Sequence, residues 1–267
     1  LMLPRSSLSP LLVSRVWTQA GYGTPDCSAD PSGLAVGFCF SLAGKRRILE
    51  VDTEEDDADS RHPDDLSLLG REITLGKHSL GVAARAERFS RYLGLSDEET
   101  GDLQLVGLLH DLGKADDRFQ LMLHGGDEIA LVDALSRGVI LAKSRSEPED
   151  REIGMTSSNT MAWPAGLRHE YTSVQLLMTN LDNWKHAASD PELVIWLTGI
   201  HHGFGRPWWS AFSDENPPDL TVSASWMNGS PCFRITSADR RSLDLRRPDR
   251  GWPDLFEKLL RRYGWWR

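Results

Sequence analysis

Residues 107–114 read Gly-Leu-Leu-His-Asp-Leu-Gly-Lys, which places an imidazole, a carboxylate and an ammonium within one helical turn. A carboxylate such as Asp111 can bridge two metal ions, and an imidazole such as His110 can bind one of them. An ammonium such as Lys114 can neutralise a phosphate. The run therefore points to metal-assisted hydrolysis of a phosphate ester. The dipeptide alone carries little weight. With eight histidines in 267 residues, a His-Asp pair arises by chance roughly 0.7 times.

Other histidines supply the missing weight. Helical spacing puts His78 and His110 on the inward faces of two successive helices, while His169 opens a third and His201 and His202 close a fourth. Helices packed in a bundle can aim such residues at one point. A single histidine on an apolar face is ordinarily a hydrogen-bonded core residue. Several imidazoles buried together are costly unless something binds them, and a metal is the obvious compensation. Imidazole with carboxylate suits Mn, Fe, Co, Ni or Zn better than Mg or Ca. Two metals about 3.5–4 Å apart would clamp the attacking and leaving oxygens of a phosphoester, with Asp111 as the bridge.

The positioning elements follow from periodicity and capping. Residues 1–33 are rich in Ser, Pro and Gly and read as irregular. Two apolar runs, 34–42 and 46–52, flank Ala43-Gly44-Lys45 and predict a β-hairpin, followed by an acidic, solvated linker. Helical pattern begins near residue 76, where Val82, Ala86, Phe89 and Leu93 recur at helical spacing and predict the inward face, with His78 one turn before Val82. A second helix starts near Ser96, with Glu99 completing a capping box. Leu103, Val106 and His110 share a face there, and Gly113 reads as the stop. Phe119 to Leu123 form a short amphipathic stretch. Residues 144–166 read as a long loop at the rim of a site. Helices follow from His169, over 191–201 to a stop at Gly203, and over about 252–263; residues 213–233 read as irregular or partly extended.

The expected fold is thus mainly α, a helical bundle with a small N-terminal β-hairpin appendage. The division is an appendage over 1–70 and a helical domain over 71–267. A hydrophobic content of 40% is enough for a buried core. Cys27, Cys39 and Cys232 are few, scattered and odd in number, which predicts neither a disulfide framework nor a zinc ribbon and fits a reducing cytoplasm. No apolar run reaches the roughly 18 residues of a membrane span. The opening Leu-Met-Leu-Pro-Arg lacks a signal-peptide core and does not read as a native start, so a longer protein is expected. There is no internal repeat and no Gly-rich loop ending in Gly-Lys-Ser/Thr, which excludes an ATPase of that type.

A net charge of −9 argues against a dedicated duplex-DNA binder. The charge is uneven, because residues 234–267 carry ten Lys and Arg against five acids. That segment could attract a phosphate chain, or its arginines could simply be a solvated face.

The order His78…His110-Asp111-x-Gly-Lys114…His169-Glu170…His201-His202-Gly resembles the HD superfamily of metal-dependent phosphohydrolases. The phrases Gly-Leu-Leu-His-Asp-Leu-Gly-Lys-Ala-Asp-x-Arg-Phe-Gln (107–120), Leu-Arg-His-Glu (167–170) and His-His-Gly-x-Gly-Arg-Pro (201–207) resemble, more narrowly, the HD nuclease domain of CRISPR-associated type I helicase-nucleases. The likeness runs from about Arg71 to Trp266. It implies a bundle of HD type and two divalent transition metal ions, Mn, Co, Ni or Fe ahead of Zn or Mg. It implies that His78, His110 and Asp111 hold one ion, and that His169, His201 and His202 hold the other with Asp111 shared. Lys114 would join Asp111 as a catalytic residue, contacting the scissile phosphate or a nearby water. The implied substrate is single-stranded DNA, delivered by a helicase domain or subunit recruited to a crRNA-guided surveillance complex. The family pattern also ends with an aspartate on a late helix. Asp214, Asp239, Asp244, Asp249 and Asp254 do not sit in that context, so either the ligand lies beyond residue 267 or the first site is weak.

Four residues are candidates for holding substrate. Trp208 and Trp209 follow Arg206-Pro207 just after the histidine pair, and either could stack on bases or pack in the core. Arg168 could hold a phosphate or a neighbouring carboxylate, and Arg206 could hold a phosphate. Glu170 could orient a ligating imidazole or serve as an ordinary helix N-terminal acid. Two other functions remain open on the same residues. One is hydrolysis of nucleotides or cyclic dinucleotides; the other is a degenerate, non-catalytic docking module.

Overall fold

In the computed structural model, which describes residues 72–144 and 163–264, a two-residue strand β1 (Ile73–Thr74) runs directly into α1 (Leu75–Tyr92). Strand β1 pairs antiparallel with β2 (Leu141–Lys143). Between them the chain forms α2 (Asp97–Leu109), a 3-10 turn at Leu112–Ala115, α3 (Asp117–Leu123) and α4 (Glu128–Ser136). The second half holds α5 (His169–Thr179), the single turn α6 (Leu181–Trp184), and α7 (Pro191–Ile200). An antiparallel pair, β3 (Leu220–Ser223) and β4 (Cys232–Ile235), precedes α8 (Ser237–Ser242) and α9 (Trp252–Tyr263). All described residues except Tyr92–Gly94 belong to one compact unit. The fold is mainly α, as expected. The predicted N-terminal hairpin and acidic run lie outside the described residues, as does most of the predicted loop over 144–166. Among the described residues no helix is long and apolar enough to cross a membrane.

The central element is α5. Every residue from His169 to Leu177 is buried, which marks a helix enclosed on all sides rather than an amphipathic surface helix. Helix α7 lies against it, and the contact is close because Gly199 lacks a side chain. A Cβ there would stand 3.0 Å from Val174 Cγ2 of α5 and 2.4 Å from the ring of Trp252 in α9. Asp190 caps α7, with Pro191 at its first position. Asp102, buried in α2, accepts from the backbone N–H groups of Ser189 (2.7 Å) and Asp190 (2.9 Å) and so ties α2 to the start of α7.

Helix α2 begins where its capping box predicts. Glu99 N donates to Ser96 Oγ at 3.1 Å, and Ser96 N donates to Glu99 Oε2 at 2.9 Å. Helix α1 departs from expectation in the face it buries. Leu75, Ser79, Ala83 and Ser90 are buried, whereas Phe89 is 48% and Leu93 63% exposed. The cause is a close crossing with α2: a Cβ at Gly107 would lie 2.6 Å from the Ala83 backbone. Small residues on both helices make that approach possible, and larger apolar residues would hold the helices apart.

Segment 213–233, read as irregular or partly extended, contains β3, and β4 begins at its end. Leu220 and Val222 point inward opposite Ile235 and Phe233, with polar residues alternating outward. Helices α4 and α8 were not predicted. Each is short and starts at a local cap: Asp127 for α4, and a Thr236–Asp239 capping box for α8.

Candidate metal centre

Four elements converge on one carboxylate. Asp111 follows the C-cap of α2 and is 1% exposed. His78 comes from α1, His169 is the first residue of α5, and His201 and His202 follow the last turn of α7. The convergence depends on how the 3-10 turn meets α5. Gly113 N donates to Ser173 Oγ at 2.8 Å, and a Cβ on Gly113 would stand 2.1 Å from the His169 carbonyl oxygen. Gly113 was read as a helix stop. Its role is instead to let the first turn of α5 dock on the backbone beside Asp111.

The two oxygens of Asp111 serve different partners. Oδ2 faces His78 Nε2 and His110 Nε2, each at 3.3 Å. Oδ1 faces His169 Nε2 at 3.0 Å and His201 Nε2 at 3.6 Å. The ligand-capable atoms fall into two groups, His78/His110/Asp111 and Asp111/His169/His201/His202, each within 4.8 Å. The resemblance implied these same two sets as metal ligands. His124 and His186 lie outside both.

The hydrogen bonds decide what these nitrogens present to Asp111. His110 Nδ1 lies 2.9 Å from the Gly107 carbonyl oxygen, and His201 Nδ1 lies 2.7 Å from that of Thr198. A carbonyl oxygen only accepts, so Nδ1 carries the hydrogen and Nε2 of the neutral ring offers a lone pair. Those lone pairs face a carboxylate, which is also all acceptor. Among the described residues no hydrogen bond of sound geometry reaches either oxygen of Asp111 or Nε2 of His201, although all are buried. Facing acceptors in a buried site repel, and a cation between them converts the repulsion into coordination. The donor set and its spacing therefore fit a divalent metal.

Electrostatics agree. Burial pushes the Asp111 carboxyl upward, but the positive charge that His110 carries when protonated, the Lys114 ammonium and the adjoining His169 outweigh it and hold the group well below the usual range, so Asp111 stays a carboxylate. Lys114 Nζ lies 2.9 Å from Oδ2 and donates to the Ala142 carbonyl at 3.4 Å. Burial pushes His201 down, and His202 falls to about 3 through burial and the neighbouring His201 and His169. Both rings are neutral near pH 7, the form that binds metal.

The supporting shell is built from residues that the motif phrases contain. Glu170 Oε2 lies 3.4 Å from His169 Nδ1, and its Oε1 accepts from Arg168 Nε (3.1 Å) and Nη2 (2.9 Å). Phe119 presses edge-on against the His169 ring, with centroids 5.5 Å apart. The Gln120 amide donates to the carbonyls of Lys114 (2.7 Å) and Leu141 (2.9 Å) and accepts from Leu141 N (2.9 Å). It behaves as an extra peptide group that joins β2 to the Asp111 turn.

The substrate candidates separate. Arg168 is buried on Glu170, with Phe204 stacked over its guanidinium at 4.2 Å. Arg206 is exposed, and Trp208 is 54% exposed. Trp209 is only 8% exposed and packs against Tyr171 and Trp252, with ring centroids 5.1 and 5.2 Å away. That is the core-packing alternative, and it leaves no ring face open for a base.

The arginines of the C-terminal segment are largely occupied. Arg240 pairs with Asp116, Arg246 with Asp244, Arg247 with Asp249, Arg261 with Glu257, and Arg262 with Asp190. The segment is therefore far less of a phosphate-attracting surface than its composition suggested. The late aspartates are spent similarly. Asp214 binds Arg118, Asp239 belongs to a capping box, Asp244 and Asp249 hold arginines, and neither metal-capable group includes Asp254.

Comparison with known proteins agrees with this geometry. Residues 75–221, more than half of the chain, match the family model described as HD domain. No curated protein and no solved structure matches the chain.

Proposed function

The chain belongs to the HD domain family, and we propose that it hydrolyses phosphodiester bonds in single-stranded DNA, as the nuclease part of a type I CRISPR interference system. Membership and the histidine–aspartate cluster make it a metal-dependent phosphohydrolase. The observation that carries the reading is the division of Asp111, with one oxygen toward each histidine set.

On this reading His78, His110 and Asp111 hold one divalent ion, and Asp111, His169, His201 and His202 hold a second. Mn, Co, Ni or Fe suit these ligands ahead of Zn or Mg. Bound ions supply Lewis acidity at the phosphoryl oxygens and a nucleophile at neutral pH. The chain's own part is positional and electrostatic. Asp111 fixes the spacing of the two histidine sets. Lys114, beside Oδ2, balances its charge and offers an ammonium to a phosphate at the same place. Glu170, anchored by Arg168, sets the orientation of the His169 ring.

The narrower substrate rests on the three motif phrases and on exposed Arg206 and Trp208 beside the histidine pair. An unpaired strand offers bases to an aromatic ring and phosphates to a cation. A helicase domain or subunit would supply that strand, and a crRNA-guided surveillance complex would recruit it.

Incubation with single-stranded DNA and Mn, Co or Ni tests the reading. Cleavage by the metal-loaded protein is expected. Turnover of nucleotides or cyclic dinucleotides without action on DNA would move the function to the small-substrate alternative. Failure to take up any metal, with His110 and Asp111 intact, would leave a docking module.

A further inference from the structure

The geometry points to Phe204 as a base-stacking platform of the metal centre, an assignment that rests on the single-strand nuclease reading. Phe204 lies two residues past His202, between Gly203 and Gly205, whose φ values are 86° and 74°. Glycine adopts that left-handed backbone without strain, so the loop can turn sharply on both sides of the ring. The turn sets one face of the Phe204 ring over Arg168, with Cζ 4.2 Å from the centroid. Arg168 is itself buried and bonded to Glu170, and Glu170 lies against His169. The ring therefore rests on a rigid chain of contacts that ends at a histidine facing Asp111.

The ring nevertheless remains 38% exposed. Five positions later, Trp209 shows what a core aromatic on this loop does: it is enclosed by Tyr171 and Trp252. Phe204 is held by Arg168 on one side and still leaves part of its side chain in solvent. A ring already fixed in place loses little conformational freedom when a base stacks on it. Arg206 and Trp208, both exposed, follow at alternate positions. Ring, cation, ring is the order suited to successive unpaired bases with a phosphate between them. A duplex offers no such open base faces, so the platform selects single strands.

The test compares Phe204→Ala, Phe204→Leu and Phe204→Tyr with the parent protein, all at equal metal content by mass spectrometry. The readouts are fluorescence anisotropy of a short labelled oligodeoxythymidylate, and KM and kcat for its hydrolysis. Alanine and leucine variants should each bind about tenfold more weakly, within the range that base–aromatic stacking supplies, with the change mainly in KM. The tyrosine variant should restore binding. Leucine covers Arg168 nearly as well as phenylalanine, so parent-like binding by Phe204→Leu would leave only a packing role and overturn the assignment. Parent protein that neither binds nor cleaves the oligonucleotide would instead overturn the nuclease reading and the platform with it.

Discussion

A side-chain carbon at Gly113 would stand 2.1 Å from the carbonyl oxygen of His169. The backbone of the Asp111 turn and the first turn of α5 therefore meet without side chains between them, and this contact brings His169 Nε2 to 3.0 Å from Asp111. Gly113→Ala cannot be absorbed by a rotamer change, because the clash is with backbone. The variant should lose about 1–3 kcal/mol of stability or more, as overpacking does, and retain less metal. Urea unfolding and metal analysis check both. Parent-like values would mean that the turn and α5 can separate at no cost.

Neighbouring tryptophans should answer differently. Trp209→Ala empties a core position between Tyr171 and Trp252 and should cost about 3–5 kcal/mol. Trp208→Ala removes a side chain that is 54% exposed and should change stability by less than about 0.5 kcal/mol. Any effect of Trp208→Ala should fall on oligonucleotide binding. Thermal unfolding of the two variants, side by side, separates the roles that the dipeptide alone left open.

Local signals were the legible ones. The Ser96–Glu99 box, the start of α5 at His169 and the last helix are written in adjacent residues, and the structure places them there. The histidine and aspartate set was legible by type and order, because each residue sits at a helix end or on an inward face. What was not legible depended on distant partners. The apolar stripe of α1 pointed to Phe89 and Leu93, yet Gly107 on another helix selects the small face of Ala83. Gly113 carried a stop signal, and only its approach to α5 reveals its use. The basic C-terminal segment looked free because its acids are scattered, and Arg240 finds Asp116 across 124 residues.

Asp111 should be indispensable to hydrolysis and dispensable to the helices. Asp111→Asn keeps the volume but removes the charge that both histidine sets face. Turnover should fall by at least about a thousandfold, as when a central catalytic group is lost. Bound metal should fall as well, while the helical circular dichroism signal persists. Full activity in that variant would remove Asp111 from the bridging position.

Asp116 should contribute to the acid sensitivity of the domain. It is fully buried and bonded to Arg118 (3.0 Å) and Arg240 (2.8 Å). Burial alone would raise its carboxyl, but the two guanidinium groups more than offset this and lower it from the usual 3.8. The folded state therefore binds this proton less readily than the unfolded chain. Its stabilisation is fully present above about pH 4 and is lost as pH falls through the lowered folded value. At neutral pH Asp116→Asn leaves buried Arg240 without its carboxylate and Arg118 with Asp214 alone, and should cost about 3–5 kcal/mol. Below about pH 4 the unfolded chain takes up this proton first and the folded parent follows only at its lowered value, so the gap between parent and variant should narrow as pH falls. Urea midpoints measured from pH 7 downward check the sign. A gap that stays constant or widens in acid would show that the pair with Arg118 and Arg240 does not hold Asp116 ionised.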